Sequence, residues 1–318
     1  MWVLDDNFFR AVRFEQPHSI PVDAHILPAT WSRHRQRLEE LVMEFPGVFG
    51  PHELGSIDFD AYEGTYNAGC HVDPWGVVWQ NVAPGLEGLV VGHPLPRRED
   101  VHTFQPPPPG AGLPHGFMYM RLYYLRGYEE LMIDFAEEPP ELQLLIDKVL
   151  AYNLRELESI LASKPPIYFF GDDLGHQDRL PINPQTWNRY LKPCYQELFS
   201  RCREAGVVGF FHTDGHIVEI IDSLIECGID VLNPQVGANG LQNIVCLAKG
   251  KVAVCLDLDR QRFPFWSPRE IDGHVREATE ALYLPEGGVL LQASLGPELS
   301  LATIRAICEA LERYRFYG

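Results

Sequence analysis

The chain has 318 residues, 46% of them hydrophobic and 22% charged, a length and composition that can bury the core of one large globular domain. A formal net charge of −18 and the lack of any Lys/Arg-rich run argue against a nucleic-acid partner, because such binding rests on clustered cations that neutralise phosphates. Seven cysteines without a CxxC pair predict reduced thiols in a cytoplasmic setting, and the acidic opening MWVLDDNFFR with no long apolar run predicts neither a secretory leader nor a membrane span.

In chain order, a helix is expected around Asn7 to Phe14, then a strand from Val22 to Leu27, then a helix that starts near Pro28 and ends by Pro46. Between residues 64 and 95, repeated glycines interrupt the short β-rich runs VVWQNV and GLVVG, which predicts hairpins and loops. The run QPPPPGAGLP at 105–114 reads as a linker, since proline lacks the amide donor and consecutive prolines favour extended geometry.

From there strand-like and helix-like segments alternate, the pattern of a parallel sheet with crossover helices. The expected strands are MYMRLY (118–123), IYFF (167–170), VGFFHT (208–213), DVLNPQ (230–235), VAVCLDL (252–258) and GVLLQAS (288–294). Between them, Leu142, Ile146, Val149, Leu150, Leu154, Leu157 and Leu161 recur at helical spacing, as do Trp187, Leu191, Cys194, Leu198 and Cys202; each set marks one buried stripe. The expected fold is therefore α/β, a (β/α)8 TIM barrel with a hairpin-rich N-terminal elaboration. It forms a single domain over 1–318, in which 116–318 carry the regular repeats and 1–115 the elaborated part. Counting Val22 to Leu27 gives seven strands, with an eighth to be sought in 48–104. A doubly wound open sheet is the alternative, but no GxGxxG or GxxxxGK[ST] turn follows any strand.

In a barrel, chemistry gathers at the carboxyl ends of the strands. After IYFF stand Asp172, Asp173, His176 and Gln177; after VGFF stand His212 and Asp214; further on come Gln235, Asp257, Asp259 and Gln292. Each aspartate also suits a capping role at a strand-to-helix turn. His212 is the leading catalytic candidate, because an imidazole there can titrate near neutrality or bind a metal; a core histidine bonded to a carbonyl is the other reading. His212 and Asp214, two apart on an extended segment, face the same side, which suits joint metal ligation or a His–Asp proton relay. Spacing alone supplies no third ligand. Asp173 and Asp257 complete the catalytic candidates, and His25, Trp75, Asp172, His176, Gln177, Gln235, Asp259 and Gln292 are candidate substrate contacts.

Six segments, RAVRFEQPHSIPV (10–22), DPWGVVW (73–79), FGDDLGHQDRLPINPQTW (170–187), FHTDGHIVEIIDSLIECGIDVLNPQ (211–235), LDLDRQRFPF (256–265) and GGVLLQASLGPELSLATIRAICEALERY (287–314), together resemble the uroporphyrinogen decarboxylase superfamily in order and spacing. The resemblance implies a (β/α)8 barrel and one of two chemistries: a cofactor-free porphyrinogen decarboxylase, or a methyltransferase working with a corrinoid carried on another protein. The decarboxylase's arginine-rich N-terminal run has no counterpart, since VDAHILPATWSRHRQR stands there, and its late histidine is replaced within QASLGPE. The zinc-binding HxC pair of the methyltransferase branch becomes His212 and Asp214, and Ala293–Ser294 occupy the place of its later cysteine. That leaves an oxygen-rich donor set for zinc or another divalent metal, from His212 and Asp214 with Asp172 or Asp257. The resemblance thus implies a corrinoid-protein-dependent methyltransferase or demethylase acting on a small O-methyl or N-methyl compound. His212 or Asp173 would be the proton donor, and Trp75, Trp79, Tyr123 and Tyr124 would line the pocket. The chain has no DxHxxG segment, so cobalamin would arrive on a separate protein. Two alternatives stand beside it: a metal-free decarboxylase-type lyase for a small carboxylic acid using Asp173 and His212, and a non-catalytic barrel that binds a tetrapyrrole or other small molecule.

Overall fold

The computed structural model describes residues 2–110 and 112–318. Among them are nine strands: β1 (Val22–Ile26), β2 (Gly69–Val72), β3 (Val78–Asn81), β4 (Leu89–Gly92), β5 (Ile167–Gly171), β6 (Val208–Thr213), β7 (Val231–Pro234), β8 (Ala253–Asp257) and β9 (Val289–Leu295). The chain divides into two compact units, one made of Met1–Ala68, Asn81–Gly88 and Asn233–Gly318, the other of Gly69–Gln80 and Leu89–Leu232. Strand β7 straddles the boundary, its first two residues ending the second unit and its last two reopening the first.

In the first unit the strand order is β7, β8, β9, β1. Strands β8 and β9 run parallel, with Asp257 opposite Gln292, and β9 and β1 run parallel, with His25 opposite Ser294. In the second unit the order is β5, β6, β7, with β5 parallel to β6 and Gly171 opposite His212. All five residues of β8 are buried, and in β6 only His212 is not. Continuous apolar strands of this kind need cover on both faces, which crossover helices supply.

The architecture is α/β with six strands in the larger sheet; the eight expected for a complete barrel are not reached among the described residues. Two differences account for this. The strands within 48–104 pair with one another in a separate three-stranded sheet, β2-β3-β4, with β3 and β4 antiparallel and Trp79 opposite Val90, so the hairpin reading of that region holds but it adds nothing to the parallel sheet. The expected strand MYMRLY is instead part of a helix, Tyr119–Arg126. Seven of its eight residues are buried, so it shows no polar face and no helical periodicity, and its aromatic residues imitate a strand.

The helix expected from Pro28 to Pro46 is broken at Arg35, whose φ is +50°, into Pro28–His34 and Gln36–Glu44; other helices begin at their local capping signals. Asp5 accepts a hydrogen bond from the Phe8 amide at the start of Asp6–Arg13, and Ser267 and Glu270 form a reciprocal capping box at the start of Pro268–Leu282. The helix expected through Trp187 and Cys202 opens at Pro184–Thr186, passes through a π-helical turn at Trp187–Leu191 and continues as Lys192–Ala205. Pro193 has no amide to give the Arg189 carbonyl, which widens the turn. No helix among the described residues is long and apolar enough to cross a membrane.

One pH response follows from the first unit. The His274 Nε2 accepts the Asp259 amide at 3.2 Å, against the Trp266 ring. Burial holds its pKa below 6.5, outweighing the Asp259 and Glu277 charges. The unfolded chain therefore takes up this proton before the folded chain does, so stability falls as pH drops through about 6.5. Thermal melts at pH 7.5 and 5.5 should show a smaller loss for His274→Gln, which keeps an acceptor without the titration; equal losses would count against the assignment.

Candidate metal and acid–base centre

The site lies in the second unit, on the loops that follow β5 and β6. Strand β5 ends at Gly171 and is followed by two aspartates whose side chains do different work. Asp172 is fully buried. It accepts the amides of Met118, Tyr119 and Met120 at 3.0, 2.6 and 2.9 Å and the Tyr195 hydroxyl at 2.5 Å. This carboxylate caps the Tyr119–Arg126 helix from a distant strand end, where free amides and the helix dipole favour negative charge. Burial raises its pKa, and the Tyr195 hydroxyl and the Met120 and Tyr119 amides oppose the rise.

Asp173 turns the other way. Its Oδ1 accepts the Asp214 amide at 3.0 Å and lies 3.2 Å from Nε2 of His115. On the neighbouring loop, His212 Nε2 lies 3.2 Å from Asp214 Oδ1, as expected for residues two apart on one face of an extended segment. The two imidazoles are 5.9 Å apart, centre to centre. The site is thus two His–Asp pairs, each side chain between about a quarter and two fifths exposed. Burial works against a charged His115, but the hydrogen bond it donates to Asp173 and the charge on that carboxylate outweigh the burial and raise its pKa above the ordinary histidine value.

Glycines permit this arrangement. A Cβ at Gly171 would run into the His115 ring, so only glycine leaves room for it. Gly175 and Gly215 bring the two loops together backbone to backbone; Gly215 has φ +85°, and a Cβ on either would strike the opposing chain. The Gly175 amide donates to the Asp214 carbonyl at 3.2 Å, the His216 amide to the His176 carbonyl at 2.7 Å, and the Leu174 amide to Thr213 Oγ1 at 3.0 Å. The site residues are therefore held by main chain as well as by side chains.

Donor atoms of Asp173, His212 and Asp214 lie within 4.8 Å of one another. One imidazole nitrogen and two carboxylate oxygens so placed fit a single divalent cation after small side-chain rotations, with hard or borderline metals preferred. Asp173 supplies the third donor that spacing did not reveal. The buried cysteines contribute no thiolate: burial pushes the thiols of Cys194, Cys202 and Cys227 up to about 12, where they stay protonated at neutral pH.

The remaining candidates fall into two places. In the second unit, His176 is exposed and meets the Tyr128 hydroxyl at 2.6 Å, and Gln177 is exposed beside it. Trp75 is buried edge-on against Tyr152 with Arg121 over its ring, a packing role. In the first unit, Asp257 is buried, opposite Gln292 and bridged to Gln235, with Ser294 Oγ 3.5 Å from its Oδ1; Asp259 is half-buried and His25 exposed. His115 is the site residue that sequence reasoning missed. It follows the proline run as LPHG with no local signal of its role; the glycine that admits its ring, Gly171, stands 56 positions further on.

An α/β fold with a parallel sheet and an N/O-rich His–Asp cluster at strand ends defines a class able to bind a divalent ion or to move protons. No protein-family model and no curated protein matches the chain. Among solved structures it is similar to a methyltransferase from Methanosarcina mazei, over 100% of both chains, with 16% identity and a TM-score of 0.67, a likeness that shows a shared fold. Weaker partial matches are a B12-independent methionine synthase from Shewanella sp. W3-18-1 (16% identity, 62% of this chain and 58% of that one, TM-score 0.40) and a dihydropteroate synthase from Xanthomonas albilineans (16%, 53% and 59%, 0.34); neither carries an argument.

Proposed function

We propose that this chain is a methyltransferase of the uroporphyrinogen decarboxylase superfamily that moves a methyl group from a small O-methyl or N-methyl compound to a corrinoid held on a separate protein. The observation that carries the reading is the convergence of His115, Asp173, His212 and Asp214 at the strand ends of a fold shared along its whole length with a methyltransferase. The corrinoid supplies a cobalt nucleophile for the methyl carbon. Asp173, His212 and Asp214 would hold a divalent ion, which supplies Lewis acidity toward the departing oxygen or nitrogen. His115, whose pKa Asp173 raises, would donate the proton that the leaving atom needs once it retains the electron pair of the broken C–O or C–N bond. The Asp214 amide fixes Asp173, and the paired glycines fix both loops.

Protein purified without added metal should carry a divalent ion that Asp214→Ala loses, and should methylate cob(I)alamin, read from its visible spectrum, from an aryl methyl ether or methylated amine. Failure of every such donor, with free cob(I)alamin and with a corrinoid protein encoded nearby, would sink the proposal. The direct His–Asp contacts favour a second reading, a metal-free lyase in which these pairs relay protons. Release of carbon dioxide from a small acid by metal-free protein would favour it.

A further inference from the structure

We propose that Glu156 is a positioning residue for His115: from the helix Pro140–Ala162 it ties down the strap that follows the proline run, so that the imidazole meets Asp173. The proposal rests on the methyltransferase reading only in taking His115 as the acid of that reaction. All the groups concerned lie in the second unit. Glu156 is buried, and its two oxygens accept the amides of Gly110 and Gly112, each at 2.6 Å. Both glycines have positive φ, +128° and +76°, which lets two amides so close in the chain turn toward one carboxylate.

Little else holds the chain between the proline run and His115. Pro106–Pro109 have no amide to donate, and residues 104–110 and 112–114 belong to no helix or strand. The Leu113 amide reaches the Tyr168 hydroxyl at 3.3 Å. Downstream, the Gly116 amide donates to the Gly171 carbonyl at 2.7 Å, and Asn153 Nδ2 to the Phe117 carbonyl at 2.8 Å. His115 is thus suspended between ties on both sides. Glu156 and Asn153, neighbours on one face of the same helix, supply one to each side.

Burying a carboxylate is costly unless donors match it, and here two short charge-assisted bonds from main chain do so. Leucine would fill the same interior without that cost, but it would leave the direction of the strap open. Direction matters because the tolerance at His115 is small. Its ring lies against Gly171, where even a Cβ would run into Nδ1, and its Nε2 is 3.2 Å from Asp173 Oδ1. A shift of the strap by about an ångström breaks that pair, and misplacement of a reacting group on this scale costs up to about a hundredfold in rate.

The test uses the whole protein and reads the carbethoxylation rate of His115 by diethyl pyrocarbonate, mapped by mass spectrometry against exposed His18 as internal reference. Glu156→Gln has one acceptor oxygen and turns an NH2 group on the second amide, so His115 should react about threefold faster or more. Glu156→Asp, which keeps both oxygens on a shorter stem, should fall between, and it decides the matter if the glutamine variant does not fold. Lys148→Met is the control. It removes three ties from the same helix, to the Val101, His102 and Phe104 carbonyls at 2.9, 3.4 and 2.6 Å, and should lower the melting temperature while leaving the His115 rate unchanged. In methyl transfer, Glu156→Gln should lose about tenfold in kcat with KM within about twofold. An unchanged His115 rate in the folded Glu156 variants, an equal rise in Lys148→Met, or a loss confined to KM would each overturn the assignment. The labelling needs no turnover, so a failure of methyl transfer would leave its result intact, and the reverse.

Discussion

His212→Ala should lower methyl transfer by about 10²- to 10⁴-fold, the usual loss when a positioned acid–base or ligand group is removed, with the fold retained. His212 is the one residue of β6 that is not buried, and its side chain is 30% exposed, so truncation opens no core cavity. The structural duty at this position belongs to the backbone, whose carbonyl accepts the Asp172 amide at 3.1 Å, and alanine keeps it. Bound divalent metal, measured by elemental analysis, should fall in parallel, because only Asp173 and Asp214 would remain of the three clustered donors. Near-normal turnover by a well-folded His212→Ala would move the chemistry away from this cluster.

Asp172→Ala should be the most destabilising single change in the second unit, costing about 3–5 kcal/mol in chemical denaturation. The reason is the number of donors it orphans: three main-chain amides and the Tyr195 hydroxyl, all buried. The Tyr119–Arg126 helix would lose its N-terminal cap, and the segment that carries His115 leads directly into that helix. Asp172→Asn should cost less, because one oxygen can still accept from the amides while its NH2 group meets donors. A loss under about 1 kcal/mol for Asp172→Ala would mean that the amides find other partners.

These two residues show how far the site was legible. His212 and Asp214 could be paired from their two-residue spacing on an apolar strand, and the structure places them 3.2 Å apart. Asp172 and Asp173 are adjacent in the same strand-end motif and could not be told apart. Successive side chains point to opposite sides of an extended segment, and which side holds a helix and which holds the site depends on elements some fifty residues away. His115 was illegible for the same reason: a histidine after a proline run has no local sign that an aspartate 58 positions later will meet it.

The sequence by itself determined the six strands of the parallel sheet, the helices between them, and the positions where polar residues interrupt apolar runs. All of these are local: apolar periodicity, glycine and proline punctuation, and capping residues act within a few positions. Only the tertiary structure decided that 119–126 are helical. That segment is buried on nearly every side, so no helical period marks it, and the Asp172 carboxylate that caps its amides comes from β5's end. The same structure decided that His115, Asp173, His212 and Asp214 form one cluster. A site assembled from three separate stretches of chain is a property of how the strands lie side by side, which no single stretch encodes.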